Sequence, residues 1–183
     1  MRKASAFCAA FFFFGGLALF LSLGGLYHRV AVYYSSHERG YGSSVYSASV
    51  LVLRQDAYGK GYFGAHRNGG RIHQGIDILA PVGRPICAAK SGRILVAGWD
   101  RGYGNYVEIL HSDGLRSRYA HLSRIYIRAG EWVRKSDIVG ACGKTGNAAD
   151  PRIKAHLHFE VRAASTPVNP APLMDAGIQV HLS

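Results

Sequence analysis

At 183 residues, with 48% of them apolar and 23 glycines, the chain can build one compact domain with a sizeable core and leaves too little for a second. Its formal charge of +11 points to an acidic environment such as nucleic acid, anionic lipid or an acidic wall polymer. The alternative is a basic surface with no such partner.

The first element is apolar. After Arg2 and Lys3, residues Ala6 to Tyr27 carry no charged side chain, and a helix of that length spans roughly 33 Å, enough for a bilayer's hydrocarbon core. Phe11 to Phe14 and Leu17 to Leu23 are apolar all round, unlike a helix with one face on a core. The run is longer than the apolar stretch of a cleaved signal peptide, about 7–15 residues, and ends in Gly24-Gly25-Leu26-Tyr27 instead of an A-x-A-like site. A retained transmembrane anchor over 6–27 is therefore expected. Arg2 and Lys3 put segment 1–5 in the cytoplasm and the remainder of the chain beyond the cytoplasmic membrane. Cys8 falls inside this span, which leaves Cys87 and Cys142 either to pair or to stay as buried thiols.

Between Tyr34 and Ser49 the composition turns to serine, glycine and tyrosine, and 28–49 reads as a linker. About 20 residues of tether reach at most some 70 Å, which keeps the globular part near its membrane. From Val50 onward the runs are short and rich in β-branched and aromatic residues. Strands are expected at Val50 to Leu53, Ile86 to Ala89, Ile94 to Ala97, Asp137 to Cys142 and His156 to Arg162. Asn105 to His111 and Leu115 to Leu122 flank Ser112-Asp113-Gly114, a hairpin signal. The fold class is mainly β: a single antiparallel β-rich domain over 50–172, preceded by one N-terminal transmembrane helix and followed by a tail over 173–183.

Chemistry concentrates in four histidines and an aspartate. In a strand over His156-Leu157-His158-Phe159-Glu160-Val161, the residues Leu157, Phe159 and Val161 face the core, while both histidines and Glu160 face the other way. The pair reads either as one metal ligand with a neighbour near a metal-bound water, or as two surface histidines. His73 and Asp77 are both of zinc-ligand type. A straight strand would hold them about 13 Å apart, so the chain must bend between them, and Gly75 is the expected place. In Tyr119-Ala120-His121, alternation places Tyr119 and His121 on one face.

Together the phrases His73-Gln74-Gly75-Ile76-Asp77, Tyr103-Gly104-Asn105-Tyr106-Val107, Tyr119-Ala120-His121-Leu122 and His156-Leu157-His158-Phe159-Glu160-Val161 resemble the lysostaphin/LytM-type zinc metallopeptidases, in the same order, from about Tyr62 to Pro170. The resemblance implies a substrate groove with one zinc per chain, held by His73, Asp77 and His158. It implies His121 and His156 as catalytic groups without permanent metal contact, either of them being the base. It also implies a zinc-activated water attacking peptide cross-links of bacterial peptidoglycan, by an enzyme at the cytoplasmic membrane whose domain works outside the cytoplasm. Three protein ligands leave the open fourth position that a catalytic site needs. Glu160 is left as either a hydrogen-bonding partner of these histidines or an exposed carboxylate.

Two departures stand out. Lys154-Ala155 replaces the family's Gly-Pro or Pro-Pro pair after a longer loop, Asn147 to Ile153, which should border the groove. Phe63-Gly64-Ala65-His66-Arg67 carries one residue more than the family's Phe-Gly-x-Arg, which leaves Arg67 without an assigned role. Arg116, Arg118, Arg124, Arg128, Arg134 and Lys135 form either a face toward an acidic wall or membrane, or a solvated basic face. The competing functional readings are a catalytically silent wall-binding regulator of other hydrolases and a basic nucleic-acid-binding domain, for which no recognition motif is present. A regulatory protein partner stays unidentified.

Overall fold

The computed structural model describes Arg29, Tyr33 and residues 36–180; the expected anchor over 6–27 lies outside them. Among the described residues no helix is long and apolar enough to cross a membrane. The chain divides into two compact units, Met1–His37 and Glu38–Ser183, and the second carries the strands.

These are β1 (Val50–Leu53), β2 (Gln55–Asp56), β3 (Gly59–Lys60), β4 (Ile76–Leu79), β5 (Pro85–Cys87), β6 (Gly92–Asp100), β7 (Gly104–His111), β8 (Leu115–Ile125), β9 (Trp132–Val133), β10 (Ile138–Cys142), β11 (His156–Ala163), β12 (Thr166–Val168) and β13 (Gly177–Val180). The main sheet runs β13-β1-β4-β11-β8-β7-β6-β9. Its pairs are antiparallel except β1 with β13. The expected hairpin is β7–β8, closed by a Gly114 N–H that donates to the His111 carbonyl.

Alternation places the core. Leu157, Phe159 and Val161 of β11 are fully buried and join Ile76, Ile78, Tyr119, Val107 and Ile109 in one apolar cluster; burying each such aliphatic or phenyl side chain contributes about 1.5–3 kcal/mol. The opposite face of the same strands carries the chemistry. Register aligns it: His158 of β11 lies opposite Asp77 of β4 on one side and Ala120 of β8 on the other.

Two segments differ from expectation. The second half of the expected linker is docked on the domain: Tyr41 and Val45 are 2% and 5% exposed, the Tyr41 N–H donates to the Leu173 carbonyl, and the Glu38 carboxylate accepts from the Ser91 N–H and hydroxyl. Two apolar side chains among serines and glycines make no periodic signal, yet they fill the core beside Ile86 and Ala89. The expected tail likewise supplies β13, whose parallel pairing with β1 spans Val50 to Leu53. Cys87 and Cys142 are both buried and unpaired with each other.

The chain bends at Gly75, as expected, just before β4, and the glycine has a second job there. It does not take the left-handed conformation; it lets β4 approach β11, because a Cβ there would collide with the Phe159 carbonyl oxygen. Gly75→Ala is therefore expected to lower stability by about 1–3 kcal/mol and to loosen the Asp77–His158 pairing. Urea unfolding together with metal titration checks it; unchanged stability would show that β4 shifts freely.

Candidate active site

His73 precedes β4, Asp77 lies within it and His158 faces Asp77 from β11. Their atoms converge: His73 Nε2 to Asp77 Oδ1 is 3.0 Å, His73 Nε2 to His158 Nδ1 is 3.0 Å, and His158 Nδ1 to Asp77 Oδ1 is 2.8 Å. Among the described residues these three form the one group able to share a metal ion. Donors about 2.0–2.1 Å from a tetrahedral centre lie about 3.3 Å from one another, so the cluster needs only slight expansion to hold such an ion.

The outer ring atoms decide what the inner ones can do. His73 Nδ1 is 2.8 Å from the Tyr62 carbonyl, an acceptor, so that nitrogen carries the proton and Nε2 offers a lone pair. His158 Nε2 donates to Glu160 Oε1 at 3.0 Å, leaving Nδ1 for the centre. Burial opposes a charge on His158, yet its hydrogen bonds to Asp77 and Glu160 lift its pKa to about 9. Burial would raise Asp77, but the His158 and His73 imidazoles set against its carboxylate, His158 first, hold it well below the carboxylate range. Glu160, 1% exposed, is the histidine's partner and not a surface carboxylate. Its pKa is held at about 2, burial being outweighed by His158, Arg162 and Arg118.

Beside the triad are His121 and His156, with ring centroids 5.1 Å apart, and His121 is 5.8 Å from His158. Each Nδ1 meets a backbone carbonyl, Thr145 O at 2.9 Å and Lys154 O at 2.7 Å. Both rings are therefore neutral tautomers with a free Nε2 lone pair. Burial first, then repulsion by His158 and His156, pushes His121 down to about 3; burial likewise lowers His156.

His121 reaches this position by breaking the expected alternation. Tyr119 points into the core against Phe159, while His121 lines the opposite, groove side. The pairs Asn105↔Leu122 and Val107↔Tyr119 leave one extra residue on β8, a bulge, and His121 takes φ 62° there. Such a conformation costs a non-glycine residue about 1–3 kcal/mol. It is held by the His121 N–H donating to the Tyr103 carbonyl and by the ring's bond to Thr145. Gly104, with φ +66°, lets the Tyr103 and Thr145 segments touch, since a Cβ there would strike Thr145.

Sequence reasoning missed the second tier. Asp77 Oδ2 accepts from Arg67 Nη2 at 2.7 Å and Arg54 Nη2 at 3.1 Å. Arg67 thus works despite the extra residue in its phrase. Arg54 carried no local signal, because its partner is 23 residues away. Tyr103 donates to Glu160 Oε1 at 2.9 Å under the Arg118 guanidinium. Arg116 and Arg118 both bind Glu108, and Lys135 binds Asp175; these three are ion-paired, while Arg124, Arg128 and Arg134 are exposed. A groove of about 840 Å³ runs over the site, within the about 300–1,000 Å³ of ligand clefts. Asn147, Ala148 and Ile153 of the longer loop border it.

Residues 71–170 match the model of peptidase family M23. Over 100 residues the chain is 43% identical to the DD-carboxypeptidase/endopeptidase Mpg of Neisseria meningitidis serogroup B, covering 55% of this chain and 22% of that one. The chain thus spans about a fifth of that relative's length. Among solved structures, the catalytic domain of the antimicrobial peptidase lysostaphin from Staphylococcus simulans aligns with TM-score 0.52 and 30% identity, covering 74% of this chain and 88% of that one. A zinc-containing peptidase from Vibrio cholerae aligns with TM-score 0.55 and 28% identity, covering 73% and 40%.

Proposed function

Because the chain belongs to peptidase family M23, we propose that it is a zinc-dependent endopeptidase that hydrolyses peptide cross-links of bacterial peptidoglycan. The observation that carries this reading is the convergence of three ligand-type atoms, His73 Nε2, Asp77 Oδ1 and His158 Nδ1, beside two further imidazoles with Nε2 turned away from their carbonyl partners.

His73 Nε2, Asp77 Oδ1 and His158 Nδ1 would hold the ion. Bound there, zinc supplies Lewis acidity and brings the pKa of a coordinated water to about 7. The chain's own groups do the rest. Arg54 and Arg67 occupy Asp77 Oδ2, so the carboxylate presents Oδ1. Glu160 and the Tyr62 carbonyl fix the ligand tautomers. His121 and His156, neutral near pH 7, accept the attacking water's proton and return one to the departing amine. When protonated, they also stabilise the developing oxyanion. The groove positions the peptide across these groups.

The apolar run over 6–27 with Arg2 and Lys3 before it supports a single-pass anchor in the cytoplasmic membrane, with the domain outside the cytoplasm and within reach of the wall. All five site positions are occupied by competent side chains, which favours an enzyme over a silent regulator.

The test is release of soluble peptides from purified wall by the unit Glu38–Ser183. Chelation is expected to stop release and added zinc to restore it, with product masses identifying the bond. Folded, zinc-loaded protein that releases nothing would turn the reading to a wall-binding regulator.

A further inference from the structure

The sheet face that carries the triad continues past it. Arg162 stands four residues beyond His158 on β11, about 13 Å at the strand rise. From there the pairing runs across the sheet. Arg162 lies opposite Pro167 of β12 on one side and Arg116 of β8 on the other, Arg116 opposite Leu110 of β7, and Leu110 opposite Arg93 of β6. Directly opposite residues share a face, and the neighbouring row, Val161, Ser117, Ile109 and Ile94, is buried in the interior. The arginines are therefore on the chemical side. The groove ends beside them, since its lining includes Glu160 and Pro167.

This row goes against the ordinary pairing of charges. Like charges placed directly opposite one another destabilise a sheet, yet Arg116 and Arg162 are placed so. Each has a carboxylate, Glu108 and Glu160, but Arg118 draws on both. Three guanidinium groups thus share two carboxylates, and Arg93, which is exposed, brings a fourth positive charge. The row is not uniformly engaged. Arg162 is held by Glu160, Gln74 and the Ser165 carbonyl, whereas Arg116 makes one long hydrogen bond to Glu108, 3.3 Å, with 42% of its side chain exposed.

Arg93 and Arg116 are two strands apart, about 10 Å, with the half-buried Leu110 between them. Side chains of that length can close on one anion above the gap, and a guanidinium takes a carboxylate through two parallel N–H bonds. From His158 the gap lies about 13 Å along the strands and about 10 Å across them, roughly 16 Å in all, which an extended peptide covers in about five residues. A neutral chain gains nothing from this excess of positive charge; an acidic one is drawn to it and oriented by it.

We propose that Arg93 and Arg116, with Arg162 behind them, form a second substrate-binding site that takes a carboxylate of an acidic peptide about five residues from the scissile bond. This rests on the hydrolase reading and names its substrate class.

The experiment uses the full chain, solubilised, with soluble cross-linked wall peptides before and after amidation of their carboxylates. Calorimetry measures binding to metal-free chain, and steady-state kinetics measures cleavage by zinc-loaded chain. Amidation is expected to weaken binding and raise KM about tenfold, with kcat little changed. Arg93→Gln with Arg116→Gln should do the same to the free peptides and make the chain indifferent to amidation, while Arg93→Lys with Arg116→Lys keeps part of the preference. Arg124→Gln with Arg128→Gln, exposed arginines outside the row, should behave as the parent. The proposal is overturned if the first double variant stays as sensitive to amidation as the parent, or if the Arg124 and Arg128 variant loses as much. It is also overturned if the row binds inorganic polyphosphate but shows no preference for free over amidated peptides, which would make it a phosphate-polymer site. In each case cleavage by zinc-loaded chain leaves the hydrolase reading standing. Carboxylate-dependent binding that the first double variant loses, without cleavage by the zinc-loaded parent, upholds the site and overturns the hydrolase.

Discussion

His73→Ala is expected to lose zinc and, with it, at least about 10³-fold in wall cleavage, a barrier increase of about 4 kcal/mol. The imidazole supplies one of three donors around the shared centre, 3.0 Å from each of the other two, and a two-donor remnant cannot retain the ion at ordinary concentrations. Metal analysis of dialysed protein beside the release assay checks both parts; a variant that keeps stoichiometric zinc would dismiss His73 as a ligand. The same centre makes metal uptake depend on pH. Without metal, His158 holds its proton up to about pH 9, so zinc must displace that proton, and apparent affinity should rise about tenfold per pH unit from 7 toward 9 before levelling. The linked effect on metal-free stability follows its sign. A histidine whose folded pKa is raised contributes stability fully present below its unfolded value, about 6.5, and lost as pH rises through about 9. Chelator competition across pH 6–9 measures the first effect, and flat affinity would contradict it.

His121→Ala and His156→Ala are each expected to lower kcat by about 10²–10⁴-fold, the usual worth of positioned acid–base groups, with zinc content and KM nearly unchanged. Both rings direct Nδ1–H to a carbonyl, and His156 Nε2 lies 3.8 Å from Asp77 Oδ1, so removing either takes away a proton acceptor while leaving all three triad side chains in place. If they act on one proton path, the double variant should lose much less than the product of the two single losses. Steady-state kinetics with metal quantitation decides it. A variant that loses zinc in proportion to activity would mark its histidine as a ligand.

Much of this site was legible in the sequence because its information is local. Alternation in His156 to Val161 separated core from chemical face, since Leu157, Phe159 and Val161 could satisfy themselves only in an apolar interior. The β7–β8 hairpin followed from Asp113-Gly114 in the same way. His73 and Asp77, four residues apart, announced ligand chemistry though not geometry. His121 shows where local reasoning stops: strict alternation would have buried it beside Tyr119, and only the bulge, held by Tyr103 and Thr145 from two other segments, turns it into the groove. Arg54, Arg67 and the docked residues Tyr41 and Val45 lacked signal for the same reason, because each acquires its role from a partner distant in sequence.

By itself the sequence determined the β architecture, the four histidines with their aspartate, and the expectation of a zinc hydrolase. Short-range periodicity, turn chemistry and donor type reside in neighbouring residues. Tertiary structure alone decided that Gly75 permits the β4–β11 approach, that Glu160 is buried against His158, and that two arginines hold the second oxygen of Asp77. Each of these is a matter of which groups share a buried space, and pairing across the sheet sets that, with partners tens of residues apart in the chain.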